Sequence, residues 1–78
     1  MTITLSQVKE KLAKIDWDVN VDDLQDNIPL TEQGLDSLDM INLLFCLEEN
    51  FPVKIPDDDL PVLKTLQDFT GYLNNKLS

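Results

Sequence analysis

The chain has 78 residues, 42% of them apolar and 27% charged, with fifteen acids set against six lysines and no histidine, for a formal net charge of −9. At this length one thin core is possible, burying roughly 60% of the surface that the unfolded chain exposes, so a single domain over residues 1–78 is expected. One cysteine excludes an internal disulfide, and without histidine neither the common zinc ligand sets nor a cysteine–histidine or serine–histidine catalytic pair can be assembled, so no metal site and no catalysis of those kinds are expected.

The first periodic segment carries Leu5, Val8, Leu12 and Ile15 at helical spacing, and Thr4 with Gln7 reads as a capping box ahead of it. From Asp16 to Asp36 no period is sustained, while Asn20, Asp22, Asp23, Asn27, Pro29 and Gly34 favour turns and caps. This predicts a long ordered loop pinned by Val19, Val21, Leu24, Ile28 and Leu30, with Trp17 covering one end of the bundle. Residues 37–50 form the strongest predicted helix: Asp36 caps it, Asp39 sits in the first turn where the dipole favours an anion, and Phe51-Pro52 ends it. Pro56-Asp57-Asp58-Asp59 reads as the acidic start of a short third helix that Pro61 confines to a turn or displaces. Thr65 caps a last helix with Leu66, Phe69, Leu73 and Leu77 on one face, although Gly71 in its interior costs up to about 1 kcal/mol relative to alanine. No segment alternates as a strand. The expected fold is all-α: a small four-helix bundle of three main helices and a short third one, with a long loop between helices one and two.

Charge is unevenly placed. Residues 15–53 hold ten acids and no base, so the middle of the chain predicts an anionic surface. Such a surface disfavours nucleic acid and anionic membrane, whose phosphates bind lysine and arginine, and favours basic protein partners. It also serves plain solubility. The apolar runs are only a few residues long and no basic stretch precedes a hydrophobic one at the N-terminus, which predicts a cytoplasmic chain without membrane insertion or export. On a helical wheel of residues 37–51, Asp39, Asn42, Cys46, Glu49 and Asn50 share a polar arc, and Met40, Ile41, Leu43, Leu44, Leu47 and Phe51 an apolar one. Leu38 and Phe45 lie at the junction, where they either close the core edge or anchor a partner ringed by charge. Cys46 is given no role.

Gly34-Leu35-Asp36-Ser37-Leu38 places a serine hydroxyl at the first turn of the second helix. A serine beside an aspartate there is ordinarily part of a cap. The same turn offers free backbone N–H groups and a positive dipole end, which would stabilise a phosphate ester on Ser37.

With Gly34-Leu35-Asp36-Ser37-Leu38-Asp39 on the page, the chain resembles the acyl carrier proteins, whose phosphopantetheine attachment sequence centres on Asp-Ser-Leu. Leu47-Glu48-Glu49-Asn50-Phe51, Ile55-Pro56-Asp57-Asp58 and Thr65-Leu66-Gln67-Asp68 resemble three further segments of that family in order and spacing, so the likeness runs over roughly residues 5–75. It implies that Ser37 is the substrate hydroxyl of a phosphopantetheinyl transferase. The covalent 4'-phosphopantetheine arm would hold acyl groups as thioesters for acyl-transferring and acyl-processing enzymes, in fatty acid or related lipid biosynthesis. It also implies a recognition face for basic docking patches made of Asp36, Leu38, Asp39, Met40, Phe45, Glu48 and Glu49. An acyl pocket lined by Ile41, Leu44, Leu47, Ile55 and Leu63 is implied as well, though these positions equally suit closed core. A monomer is expected. Asn42 where fatty-acid carriers present glutamate, Pro61 in the third helix and Gly71 in the last are departures that suit either a specialised carrier for a polyketide, peptide or other dedicated pathway, or neutral drift. An acidic adaptor without a prosthetic group is the reading from another class. An EF-hand is disfavoured, because Asp57-Asp58-Asp59 lacks the alternating ligands, glycine and closing glutamate.

Overall fold

The computed structural model describes residues 2–77, and these form a helical bundle without a strand among them. Helix α1 spans Leu5–Leu12, α2 Ser37–Asn50 and α3 Leu66–Leu77, with a 3-10 segment at Asp57–Val62 between α2 and α3. Helix α1 packs against both α2 and α3. Leu30, Leu43, Leu47, Leu66, Phe69 and Leu73 join Val8 and Leu12 in a core where these side chains are fully buried, and no polar or charged residue among the described ones is buried with them.

Each helix start follows from its cap. Thr4 Oγ1 accepts the Gln7 N–H at 3.2 Å and Gln7 Oε1 accepts the Thr4 N–H at 2.9 Å, the reciprocal pair that the spacing predicts. Helix α1 stops at Leu12, one turn before the predicted apolar stripe does. Ala13 caps it, and Ile15 packs against the core from the following turn. At α3, Thr65 Oγ1 accepts the Asp68 N–H at 3.0 Å. Burial opposes charge on Asp68, but the N–H donors of Lys64 and Thr65 on its Oδ2 outweigh that, so its carboxyl sits below the usual range.

The long loop is ordered by contacts that no local pattern announces. Short 3-10 turns at Val21–Asp23 and Leu30–Gln33 bury Val21 and Leu30, and Leu24 joins them, whereas Val19, Ile28 and Trp17 are half-buried. Trp17 packs against the core, partly buried. Gln33 acts as a clamp: its Oε1 accepts the Gln25 N–H at 2.7 Å, and its Nε2 donates to the carbonyls of Gln25 at 3.0 Å and Ile28 at 2.8 Å. Lys9 holds the loop to α1 through an ion pair with Asp26 at 2.9 Å. At the other end, the Leu30 N–H donates to the Lys64 carbonyl at 2.8 Å, joining the loop to the residue just ahead of α3. Asn74 of α3 ties down the N-terminal stretch, accepting the Ile3 N–H at 2.6 Å and donating to the Ile3 carbonyl at 2.8 Å.

Candidate functional site

The approach to α2 is set by Gly34. Its φ of 97° lies in the left-handed region, where it caps the Leu30–Gln33 turn and donates its N–H to the Leu30 carbonyl. A side chain there would meet no neighbour, so the demand for glycine is conformational rather than steric. Leu35 then drops into the core and Asp36 turns the chain into the helix. Asp36 Oδ1 accepts the Asp39 N–H at 2.9 Å, and Asp39 Oδ2 accepts the Asp36 N–H at 3.2 Å. The first-turn carboxylates therefore cap each other's backbone, and Ser37 between them is the first helical residue, exposed and uninvolved in the cap.

Ser37 lies on a cleft of about 760 Å³ between the loop, the N-terminal half of α2 and the 3-10 segment. Leu35, Met40, Ile41, Leu44, Leu60, Pro61 and Leu63 give it apolar walls, while Glu32, Asp36 and Lys64 add charged groups. Of the residues expected to line an acyl pocket, Ile41, Leu44 and Leu63 are on this wall. Leu47 and Ile55 are not: both are buried in the core cluster, Leu47 fully, and neither lines the cleft. Their places are taken by Leu35, Met40, Leu60 and Pro61, two of which sit in the 3-10 segment that Pro61 produces. Positions carried over from the family likeness do not register the residues that the loop and the 3-10 segment bring in.

The outer face of α2 carries Leu38, 65% exposed, Ile41 and Phe45, 60% exposed, at i, i+3 and i+7. These side chains do not close the core edge. Glu49 is exposed on the last turn, with Asp36 exposed and Asp39 half-exposed at the first. Met40 also lines the cleft but is only half-exposed, unlike the members of that outer row. Glu48 differs more: it is half-buried and its Oε2 accepts the Ile55 N–H at 2.9 Å, so its carboxylate braces the chain after α2. No signal in the sequence marks that bond, because the partner lies seven residues away across a turn.

The wheel also misplaces Cys46. Its side chain is buried rather than set in a polar arc, and Sγ donates to the Lys11 carbonyl at 3.3 Å across the α1–α2 contact. Burial raises the thiol pKa despite the Asn50 hydrogen bond that lowers it, so at neutral pH the sulfur is protonated and a weak nucleophile.

Among known families, the model described as "Phosphopantetheine attachment site" matches residues 6–73. The chain belongs to the acyl carrier protein family of phosphopantetheine-binding proteins. It is 36% identical over 77 residues to the acyl carrier protein of Thermosynechococcus vestitus, a match covering 94% of this chain and 95% of that one. It is 36% identical over 73 residues to that of Nitratidesulfovibrio vulgaris, covering 88% and 96%. The acyl carrier protein of Bdellovibrio bacteriovorus is 45% identical over 47 residues, but that match spans 60% of each chain. No helix among the described residues is long and apolar enough to cross a membrane.

Proposed function

We propose that this chain is an acyl carrier, with one domain over residues 1–78, that receives a 4'-phosphopantetheine arm as a phosphate ester on Ser37. The observation that carries the reading is the setting of Ser37: an exposed hydroxyl at the first turn of α2, free of the cap, on the rim of an apolar cleft. Ser37 and Leu38 precede the point where helical hydrogen bonding begins, so their N–H groups and the positive dipole end suit an anionic ester. When attached, the arm supplies a terminal thiol that holds acyl groups as thioesters.

The residues around Ser37 have their own tasks. The Asp36–Asp39 box holds the serine at a fixed position without using its hydroxyl, leaving that oxygen to a phosphopantetheinyl transferase. Ile41, Leu44 and Leu63, with Met40 and Leu60, offer an apolar chain shelter from water. The exposed row of Leu38, Ile41 and Phe45, bordered by Asp36, Asp39 and Glu49, suits basic docking patches on the transferase and on acyl-processing enzymes: the apolar side chains anchor and the carboxylates steer. Fatty acid or related lipid biosynthesis in the cytoplasm, as a monomer, is the setting that fits best. The 3-10 segment imposed by Pro61 reshapes one cleft wall and favours, as the second reading, a carrier dedicated to one specialised acyl-transfer pathway.

Incubation with coenzyme A, magnesium and a broad-specificity phosphopantetheinyl transferase, followed by intact mass, tests the proposal. Wild type gains the mass of one arm and Ser37→Ala gains none. A folded wild type that takes no arm from either a broad or a cognate transferase rejects the carrier reading and leaves the acidic adaptor.

A further inference from the structure

The segment Asp57–Val62 closes one side of the cleft, yet little within it keeps it there. It is a 3-10 helix with no buried residue, no side-chain cap at Pro56 and a proline in its interior. Such helices have poorer hydrogen-bond geometry than α-helices, and Pro61 contributes no N–H at all. The hold comes from α3. Tyr72 donates its hydroxyl proton to Asp59 Oδ2 at 2.6 Å, a short contact of the kind made to an ionised acceptor. Four residues on, the Lys76 ammonium stands over the Tyr72 ring, 5.5 Å from its centre. The residues directly after Asp59 are Leu60 and Pro61, both on the cleft wall.

We infer that Tyr72 is a latch: its hydrogen bond to Asp59 holds the 57–62 segment against α3 and so sets how far the cleft beside Ser37 opens. With the bond made, Leu60 and Leu63 stay packed toward Met40 and Leu44. With it broken, the segment retains only the half-buried Leu60 as an anchor, and the wall moves outward on the microsecond to millisecond scale of local opening. The consequence for acyl chains, that Tyr72 helps decide the length the cleft admits, rests on the carrier reading; the latch does not.

The test uses the unmodified protein and NMR relaxation. Tyr72→Phe keeps the ring and its Lys76 contact and removes only the hydroxyl. The expected result is new relaxation dispersion, the signature of microsecond-to-millisecond exchange, at the backbone of Asp59, Leu60 and Leu63 and at the Leu60 and Leu63 methyl groups, with α1 and α2 unchanged. Asp59→Ala, cut from the other side, gives the same local pattern, and the double variant is no looser than either single one. Unchanged relaxation dispersion at these sites, exchange spread evenly over the bundle, or additive exchange in the double variant overturns the latch. A protein that accepts no arm on Ser37 leaves these outcomes as they are, so the two readings fail separately.

Discussion

Ser37 and its neighbours divide labour between folding and chemistry. Because Asp36 and Asp39 cap each other, Ser37→Ala should leave the thermal midpoint within the range of an ordinary surface substitution, about 0.5 kcal/mol. Asp36→Ala, which removes the N-cap itself, should cost about 1 kcal/mol and fray the turn that presents the serine. Denaturant unfolding of both variants checks this, and the prediction is wrong if the serine change proves the costlier. The cap and the exposed serine were legible in Gly34-Leu35-Asp36-Ser37, since both depend on residues a few positions apart. The second half of the box was legible in principle from an acid three residues after the cap, but Asp39 was assigned only to the dipole. The Glu48–Ile55 bond, the Gln33 clamp and the contact of Cys46 with the Lys11 carbonyl were not legible, because each is decided by which chain segment arrives from elsewhere. Tyr72 belongs to the same group. Its bond to Asp59, aided by burial and the nearby charge, raises the hydroxyl pKa from 10.0 to about 12. A raised folded-state value means that the stabilisation is complete below pH 10 and is lost as pH climbs from 10 through about 12. Stability of wild type should therefore fall over that alkaline window more steeply than that of Tyr72→Phe; parallel curves would remove the linkage.

Among the elements, α2 came out of the sequence with its full span, Ser37–Asn50, because a strong cap and Phe51-Pro52 bracket an unbroken helical pattern. Helix α1 is shorter than its apolar stripe, since Ile15 reaches the core from a turn as readily as from a helix. Pro61 confines the short third helix to a 3-10 segment, one of the two outcomes the sequence allows. The long loop was foreseen as anchored, but not the two turns within it, which are stabilised by burial of Val21 and Leu30 rather than by any period. Helix α3 carries a penalty that can be removed. Gly71 is exposed, has no left-handed requirement, and a β-carbon there meets nothing within 4 Å. Gly71→Ala should stabilise the bundle by roughly 0.5–1 kcal/mol, raising the melting temperature by several degrees for a domain of this size. A lower melting temperature would mean that the glycine answers a need outside the isolated fold.

For the molecule as a whole, the decisive property is ten acids without a base over residues 15–53, in a chain where the one close ion pair among the described residues is Lys9–Asp26. Mutual repulsion of these carboxylates opposes compaction and is screened over about 10 Å at 0.1 M salt. The melting temperature should rise with sodium chloride and further with millimolar magnesium at neutral pH; indifference to both would show that the carboxylates are too well spaced to repel. The same field, with Leu38, Ile41 and Phe45 exposed on α2, gives the molecule a face suited to basic partners and a cleft suited to an apolar cargo, with Ser37 between them. That placement is the central claim, and locating the arm tests it most directly. The chain has serines at 6, 37 and 78, and Ser6 also lies in a helical first turn, that of α1. Fragment-ion mapping of the transferase-treated protein should place the phosphopantetheine mass on Ser37 alone; an arm on Ser6 or Ser78, or none on a folded chain, would contradict the account.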